Sequence, residues 1–207
     1  RSLSSAASDV YKRQSEGRSY GIEFLAQKKL NKNFYGILAY TWVRSEFKDK
    51  DEIYIPSAWD NKHIISLTGG FKFKKDWELG LKFRFSGGSP YTPYDTLNSS
   101  YSYIWDVNSF GVFDYNQLNG LRLKSNHGLD IRIDKKWYWK KVTLNIYLDI
   151  QNLYNFQTET PPSLIAVRNT DGSLQTITGS NPERYNLKYI DNTAGTVLPS
   201  IGLQFEF

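Results

Sequence analysis

The sequence predicts an all-β fold: an antiparallel up-and-down transmembrane β-barrel, of which this chain supplies about seven strands. Three observations predict it. Apolar and polar residues alternate with period two over long runs, short turns alternate with long connections, and aromatic residues are abundant. The 207 residues include 15 Tyr, 12 Phe and 6 Trp. Tyr and Trp have an apolar body and a polar edge, and such rings concentrate where a dry region meets water.

The alternation defines the strands. In the clearest run one face is apolar and the other polar: Val142, Leu144, Ile146, Leu148 and Ile150 against Thr143, Asn145, Tyr147, Asp149 and Gln151. A helix would repeat every 3.6 residues instead. The seven predicted strands are 18–30, 34–47, 62–74, 77–88, 126–138, 142–155 and 196–207. The strand at 34–47 has apolar residues on both faces, and the others are long enough to cross a bilayer at a tilt.

The connections alternate between tight turns and long segments. Residues 31–33, 75–76 and 139–141 make short turns, whereas 48–61, 88–125 and 156–195 are long. Loops beyond about 12–15 residues are uncommon in compact domains, so three on one side of a sheet indicate a purpose there. Within the last of them, Asp171–Gly172 predicts the turn of a small external hairpin.

The polar strand faces favour a membrane barrel with a wide lumen. In hydrocarbon every backbone amide must be paired, so strands cross only as a closed sheet. A small barrel filled with side chains would need an apolar interior, so polar inward faces imply a hydrated or plugged lumen. Trp77, Trp137, Tyr138 and Trp139 fall at the short-turn end beside several lysines, which is typical of a periplasmic aromatic girdle.

Composition excludes several classes of protein. The absence of cysteine excludes disulfides, thiolate metal sites and a Cys nucleophile. The sequence contains no run of about 18 apolar residues, so a transmembrane helix is not expected. The net charge of +5 is scattered along the chain, so a nucleic-acid partner is not expected. The two histidines, His63 and His127, fit ordinary strand-end positions. We therefore expect no metal site, no cofactor and no enzyme activity.

The first 16 residues stand apart from this pattern. They lack the apolar core of a signal peptide and resemble the stray leader found on reading frames assembled from environmental DNA. The chain also contains no methionine, which favours a fragment of a longer protein. The expected division is therefore a non-native or disordered leader at 1–16 and a barrel segment at 17–207.

Four stretches together carry a family resemblance: WDNKHIISLTGGFKF, FSGGSPYTPYD, GLDIRIDKKWYWKKVTLNIYLDIQNLYNFQ and the closing LPSIGLQFEF. They resemble the C-terminal part of a TonB-dependent outer-membrane receptor. In that family a barrel of about 22 strands surrounds an N-terminal plug, and energy arrives through TonB. The resemblance implies the last third of a receptor in the outer membrane of a Gram-negative bacterium. Its partners would be outer-membrane lipid, the barrel assembly machinery, TonB through a plug outside this chain, and an extracellular metal chelate, glycan or peptide.

The resemblance also implies a role for the chain end. Apolar residues at every second position before a terminal aromatic resemble the signal that the assembly machinery recognises: Ile201, Leu203, Phe205 and Phe207. The strand that carries them is expected to close the barrel by pairing with its first strand.

The aromatic segment 89–116 is the candidate ligand-binding loop. Rings with polar tips at a barrel mouth hold ligands by stacking and hydrogen bonding, and the candidates are Tyr91, Tyr94, Tyr101, Tyr103, Trp105 and Tyr115. The equally weighted alternative is a loop that packs on its neighbours. Charged residues at 130–134 opposite 145–151 suggest a barrel lining, with a catalytic carboxylate cluster as the less favoured alternative.

Two other functions fit the strand pattern. One is a passive porin or adhesin-like barrel with the same sheet and no plug. The other is a soluble carbohydrate-binding β-sandwich, in which the apolar face of strand 142–155 would pack against a second sheet.

Overall fold

The computed structural model describes residues 16–207 as mostly antiparallel β structure. In chain order the elements are β1 (Gly17–Asn31), β2 (Phe34–Lys48), β3 (Tyr54–Pro56), β4 (Lys62–Lys72), β5 (Trp77–Ser86), β6 (Pro90–Tyr91), α1 (Thr96–Ser100), α2 (Ser102–Asn108), β7 (Leu121–Arg122), β8 (Asn126–Tyr138), β9 (Thr143–Gln151), β10 (Thr158–Ala166), β11 (Leu187–Ala194) and β12 (Leu198–Glu206). Of the predicted leader, residues 1–15 lie outside the described part. The carbonyl of Glu16 accepts the amide of Lys48 and extends the β1–β2 pairing.

The seven predicted strands form one antiparallel sheet in the order β1-β2-β4-β5-β8-β9-β12, with β3 paired to β2. The all-β, up-and-down part of the expected fold is therefore confirmed. The sheet is open: in the described residues, β1 and β12 are its edges and β12 pairs with β9 alone. Closure of the strand at 196–207 onto a first strand remains a prediction.

Three strands end earlier than their alternation predicts, for local reasons. β9 stops at Gln151 because Asn152 and Asn155 have φ of 51° and 55°, and the Asn152 side chain accepts the amide of Phe156 at 2.8 Å. β4 stops at Lys72 before a turn in which Lys75 and Asp76 both have φ near 60°. Positive φ at both central residues suits the right-handed twist of a tight hairpin. β5 stops at Ser86, before Gly87.

The register keeps one face of the sheet apolar across its strands. Leu144 lies opposite Phe205, Ile146 opposite Leu203 and Leu148 opposite Ile201; β4, β5 and β8 continue the face with Leu67, Phe83 and Leu129 as successive partners. Several of its side chains are widely exposed: Ile22 by 68%, Ile201 by 77% and Leu203 by 62%. This face is a broad apolar surface that the described residues leave largely uncovered.

The opposite face is largely polar and includes two buried side chains, Asp134 and Asn145. Arg132 donates two hydrogen bonds to Asp134, both 2.9 Å long, and the Asn145 amide donates a third to the same carboxylate. The Arg132 guanidinium lies 3.8 Å from the centre of the Tyr147 ring, and that ring occupies the space that a side chain at position 202 would need. Gly202 therefore lets the ring lie flat across β12.

The long connections form a second layer at one end of the sheet, here called the cap: residues 87–125 together with 152–197. The cap contains both short helices and the small sheets β6-β7 and β10-β11. The predicted turn is present between Asn169 and Ser173, where Gly172 has a φ of 87°. No helix within residues 16–207 is long and apolar enough to cross a membrane.

The expected girdle residues lie at the short-turn end and are exposed, Trp77 by 45%, Tyr138 by 61% and Trp139 by 59%. The Lys135 ammonium lies 5.9 Å from the Trp77 ring centre and 5.0 Å from that of Trp137. Aromatic rings beside a long basic side chain suit a boundary between apolar and aqueous surroundings.

Candidate ligand-binding cleft

The cap contains a cleft of ≈ 710 Å³ between segment 87–125 and the β10–β11 hairpin. Its volume is in the range of small-molecule sites. Most of its lining is aromatic or proline: Tyr91, Tyr94, Phe113, Tyr115 and Tyr189, with Pro90, Pro93, Pro161 and Pro162. The remaining lining side chains that can hydrogen-bond are Thr92, Asn119, Ser163 and Asp191.

Four of the rings form a continuous row along the cleft. Tyr94 stacks on Phe113 with centroids 4.8 Å apart and planes 13° from parallel. Tyr189 extends the row beyond Tyr94 at 6.3 Å, and Tyr115 extends it beyond Phe113 at 6.4 Å. Tyr115, at one end of the row, is the most exposed ring at 71%, and Tyr189 and Phe113 are exposed by 45% and 42%. Partial burial raises the pKa of the Tyr189 phenol and neighbouring Tyr91 raises it further, so the hydroxyl stays protonated at neutral pH.

Local hydrogen bonds hold the row in place. Tyr94 and Phe113 face each other in a β-bridge, and the Asp95 carboxylate caps α1 by accepting the amide of Asn98 at 2.9 Å. The hydroxyl of Ser99, a fully buried residue, accepts the Val112 amide at 2.9 Å. These bonds join the two ends of the segment that contains the helices.

The two walls of the cleft are joined by backbone and side-chain contacts. The Tyr185 amide donates to the Ser100 carbonyl at 2.7 Å, and the Tyr185 hydroxyl donates to Asp106 at 3.0 Å. Gly111 lies against Leu164 of β10 so closely that a Cβ would clash with the leucine and with Tyr94. Leu164 and Trp105, both in the cap, are the buried apolar side chains of the described chain, at 6% and 8% exposure.

A buried carboxylate anchors the cap to the sheet. Asp60 is fully buried and accepts hydrogen bonds from Arg44 at 3.1 Å, from Arg122 at 2.7 Å and from the Ser45 amide at 2.9 Å. Arg122 lies in the cap strand β7, whereas Arg44 and Ser45 lie in β2. Burial alone would raise the pKa of Asp60, but the Ser45 amide and the two guanidinium groups outweigh it and hold that pKa below its ordinary value.

Glycine allows the cap to cross the sheet end closely. Arg122 also donates to the Gly88 carbonyl at 2.6 Å, beside its bonds to Asp60. A Cβ on Gly88 would overlap the Leu123 carbonyl, and one on Gly87 would overlap the Asn61 carbonyl. Gly87 and Gly88 therefore mark a close approach of backbones at this end of the sheet.

The cleft contains half of the sequence-predicted ligand residues. Tyr91, Tyr94 and Tyr115 line it. Tyr101 and Tyr103 lie outside it and stack on each other at 5.4 Å, and Trp105 is buried in the cap. Some rings of this loop therefore line a cleft and others pack on neighbours, and ligand binding by the lining rings stays a prediction. Sequence reasoning missed Phe113, although it lies in the same aromatic segment.

The residues of the predicted assembly signal and the two histidines lie outside the cleft. Ile201, Leu203 and Phe205 lie on the exposed apolar face, and Phe207 follows the end of β12 and is fully exposed. His63 pairs with Tyr40 at 3.0 Å, and His127 with Tyr154 at 2.7 Å. No group of three or more His, Cys, Asp and Glu side chains within residues 16–207 is arranged to hold a metal ion.

Comparisons of this chain with known sequences and structures found no match. The chain matches no protein-family model, no curated protein and no solved structure at a significant level.

Proposed function

We propose that residues 17–207 are a segment of the β-barrel wall of a TonB-dependent outer-membrane receptor, which takes up an extracellular ligand with energy from TonB. One observation carries the proposal. Seven successive antiparallel strands form one sheet with a largely apolar, exposed face and a largely polar opposite face, on which Leu25, Ile37 and Ile64 are apolar exceptions. Acyl chains around the sheet would cover the first face, and a plug or water inside the lumen would contact the second.

The open edges of the sheet support the same proposal. β1 is 15 residues long and unpaired along its outer edge in the described chain, and the outer edge of β12 is unpaired as well. Long unpaired edges invite aggregation in water and carry a large desolvation cost in hydrocarbon. Further strands of the same barrel would pair both edges.

The cap supports a receptor over a plain barrel. It lies at the end of the sheet opposite the tight turns, and it folds around an aromatic cleft. In a membrane barrel the short turns face the periplasm and the longer loops face outward. The cleft would then meet molecules that arrive from outside the cell.

Neighbouring residues on β12 test the orientation of the sheet. Leu203 and Gln204 project to opposite faces, and the chain has no cysteine of its own. Nitroxide labels on Leu203→Cys and Gln204→Cys of the full-length protein in bilayers should differ. We expect oxygen to relax the label at 203, and a water-soluble nickel chelate to relax the label at 204. A label at 203 shielded from both reagents would contradict the proposal and favour a soluble β-sandwich.

The energised part of the proposal needs a separate test. The upstream reading frame should encode further strands preceded by a plug-sized domain, and the purified full-length protein should bind the periplasmic domain of TonB. A frame that contains strands alone, together with no TonB binding, would contradict this part and favour a passive porin or adhesin-like barrel.

A further inference from the structure

The charge of the cleft restricts its ligand. Among the described residues that line the cleft, Asp191 has the one carboxylate and none is Lys or Arg. Lys124 is attracted to Asp191 but lies outside the lining and forms an ion pair with Glu159 at 2.6 Å. An anionic ligand would lose its hydration and meet a negative charge with no cation in the lining to compensate it. Phosphorylated, uronic-acid and anionic metal-chelate ligands are therefore disfavoured.

The prolines disfavour a peptide bound as an added strand. Such a peptide gains affinity from main-chain hydrogen bonds to an open sheet edge. Pro90, Pro93, Pro161 and Pro162 line the cleft and have no backbone N–H. The pairing of β10 with β11 also shifts register between Thr160 and Ser163, at the proline pair. The edges that face the cleft therefore offer few donors for another strand.

The ring row suits a ligand with flat apolar faces and many hydroxyl groups. Tyr94 and Phe113 stack in the middle of the row, Phe113 is 42% exposed, and the exposed rings Tyr115 and Tyr189 stand at the two ends. Pyranose rings present a C–H face that packs on an aromatic ring and an edge of hydroxyls that need partners. Asp191 and Asn119 supply carboxylate and amide groups beside the row.

We infer that this cleft binds an uncharged oligosaccharide. Its sugar rings pack on Tyr115 and Tyr189, and its hydroxyl groups donate hydrogen bonds to the Asp191 carboxylate. Three exposed rings along one row, Tyr189, Phe113 and Tyr115, fit more than one sugar unit, so a single monosaccharide would leave part of the row uncovered. This inference rests on the proposed receptor function and names its ligand class. The nitroxide experiment tests the barrel without any ligand. A wrong ligand class can therefore be told apart from a wrong barrel proposal.

The test measures binding of defined hexasaccharides to the full-length protein in detergent by calorimetry. The probes are maltohexaose, cellohexaose, xylohexaose and mannohexaose, with hexagalacturonate as the charged probe and a proline-rich peptide as the peptide probe. We expect at least one neutral hexasaccharide to bind, and hexagalacturonate and the peptide not to bind. Failure of all four neutral probes overturns the inference, as does binding of the charged or peptide probe in the cleft.

Matched tyrosine variants locate the binding. Tyr115→Ala removes an open ring of the row and should weaken hexasaccharide binding by about tenfold or more. Tyr103→Ala removes a ring of similar exposure, 58%, from the same segment outside the cleft, and should change binding by less than about twofold. Tyr115→Phe should retain most of the affinity, because stacking needs the ring and not the hydroxyl. Equal losses for Tyr115→Ala and Tyr103→Ala would overturn the assignment of the site.

Discussion

Among the described residues, the sheet buries polar side chains alone, whereas the cap buries apolar side chains together with the small polar Ser99 and Ser100. On the sheet, Asp134 and Asn145 are buried to below a tenth exposure while Ile201 and Leu203 stand exposed. In the cap, Trp105 and Leu164 are buried as in an ordinary water-soluble domain. One chain thus contains a sheet with buried polar side chains and a cap with buried apolar ones. The ion pairs of Asp60 join the two regions.

The difference is that the described residues leave the apolar face of the sheet largely exposed, whereas the cap covers apolar side chains of its own. Period-two alternation needs only that the two faces meet different media. In the proposed receptor, acyl chains stabilise the sheet, whereas the cap is stabilised in water by its own contacts.

The largest expected effect comes from placing a charge on each face of β12. Ile201→Arg should destabilise the full-length protein in bilayers by about 2–4 kcal/mol, because arginine would enter the hydrocarbon region. Ser200→Arg should cost much less, since position 200 lies on the polar face opposite Asp149. Urea titration of protein folded in phospholipid vesicles measures both. Equal losses of stability for Ile201→Arg and Ser200→Arg would contradict a lipid-facing side and a polar side of β12.

The joint between sheet and cap is the next target. Asp60→Ala leaves Arg44 and Arg122 beside a buried site without their shared carboxylate, and should cost about 3 kcal/mol. Both arginines keep partial access to solvent, which places the effect at the lower end of the range for buried ion pairs. Faster proteolysis of segment 87–125 in the folded full-length protein reports the loss. Asp51→Ala, at an exposed carboxylate, is the control, and similar proteolysis of the two variants would contradict the anchor.

Two glycines differ in the space around them: Gly88 lies at a close approach of two backbone segments, whereas Gly80 has room for a Cβ. Gly88→Ala should destabilise the cap by about 1–3 kcal/mol, because its Cβ would overlap the Leu123 carbonyl and the backbone must shift. Gly80→Ala should be tolerated, since its Cβ would lie 3.8 Å from the nearest atoms, those of Arg132. Thermal unfolding of both variants in detergent makes the comparison. A tolerated Gly88→Ala would show that the crossing is looser than described.

The smallest expected effect is the pH dependence of the cap. The pKa of Asp60 is lower in the folded protein than in the unfolded chain, so its contribution is complete above an ordinary carboxyl pKa, near pH 4. That contribution falls as the pH drops through the folded pKa. Proteolysis of segment 87–125 should therefore accelerate below about pH 4, after correction for protease activity. Asp60→Asn should remove part of this acceleration, and an unchanged profile would contradict the assignment.

Most of the sheet follows from local patterns in the sequence. Alternation located all seven long strands and assigned the faces of all but the strand at 34–47, and the short connections and the Asp171–Gly172 pair marked the tight turn at 75–76 and the hairpin turn near Gly172. Those features depend on side chains one or two residues apart and on local turn chemistry. Strand ends were less certain, as at Asn152, because a single left-handed residue stops a ladder that the alternation would continue.

The cleft and its anchor depend on contacts between residues far apart in the chain, which local patterns do not reveal. Tyr189 and Asp191 join Tyr94 across about a hundred residues of chain, and no local pattern marks them as neighbours of the aromatic loop. The pairing of Asp60 with Arg122 likewise spans 62 positions. Strand faces repeat along the chain and are visible in sequence, whereas contacts between loops depend on how the ends of distant strands come together.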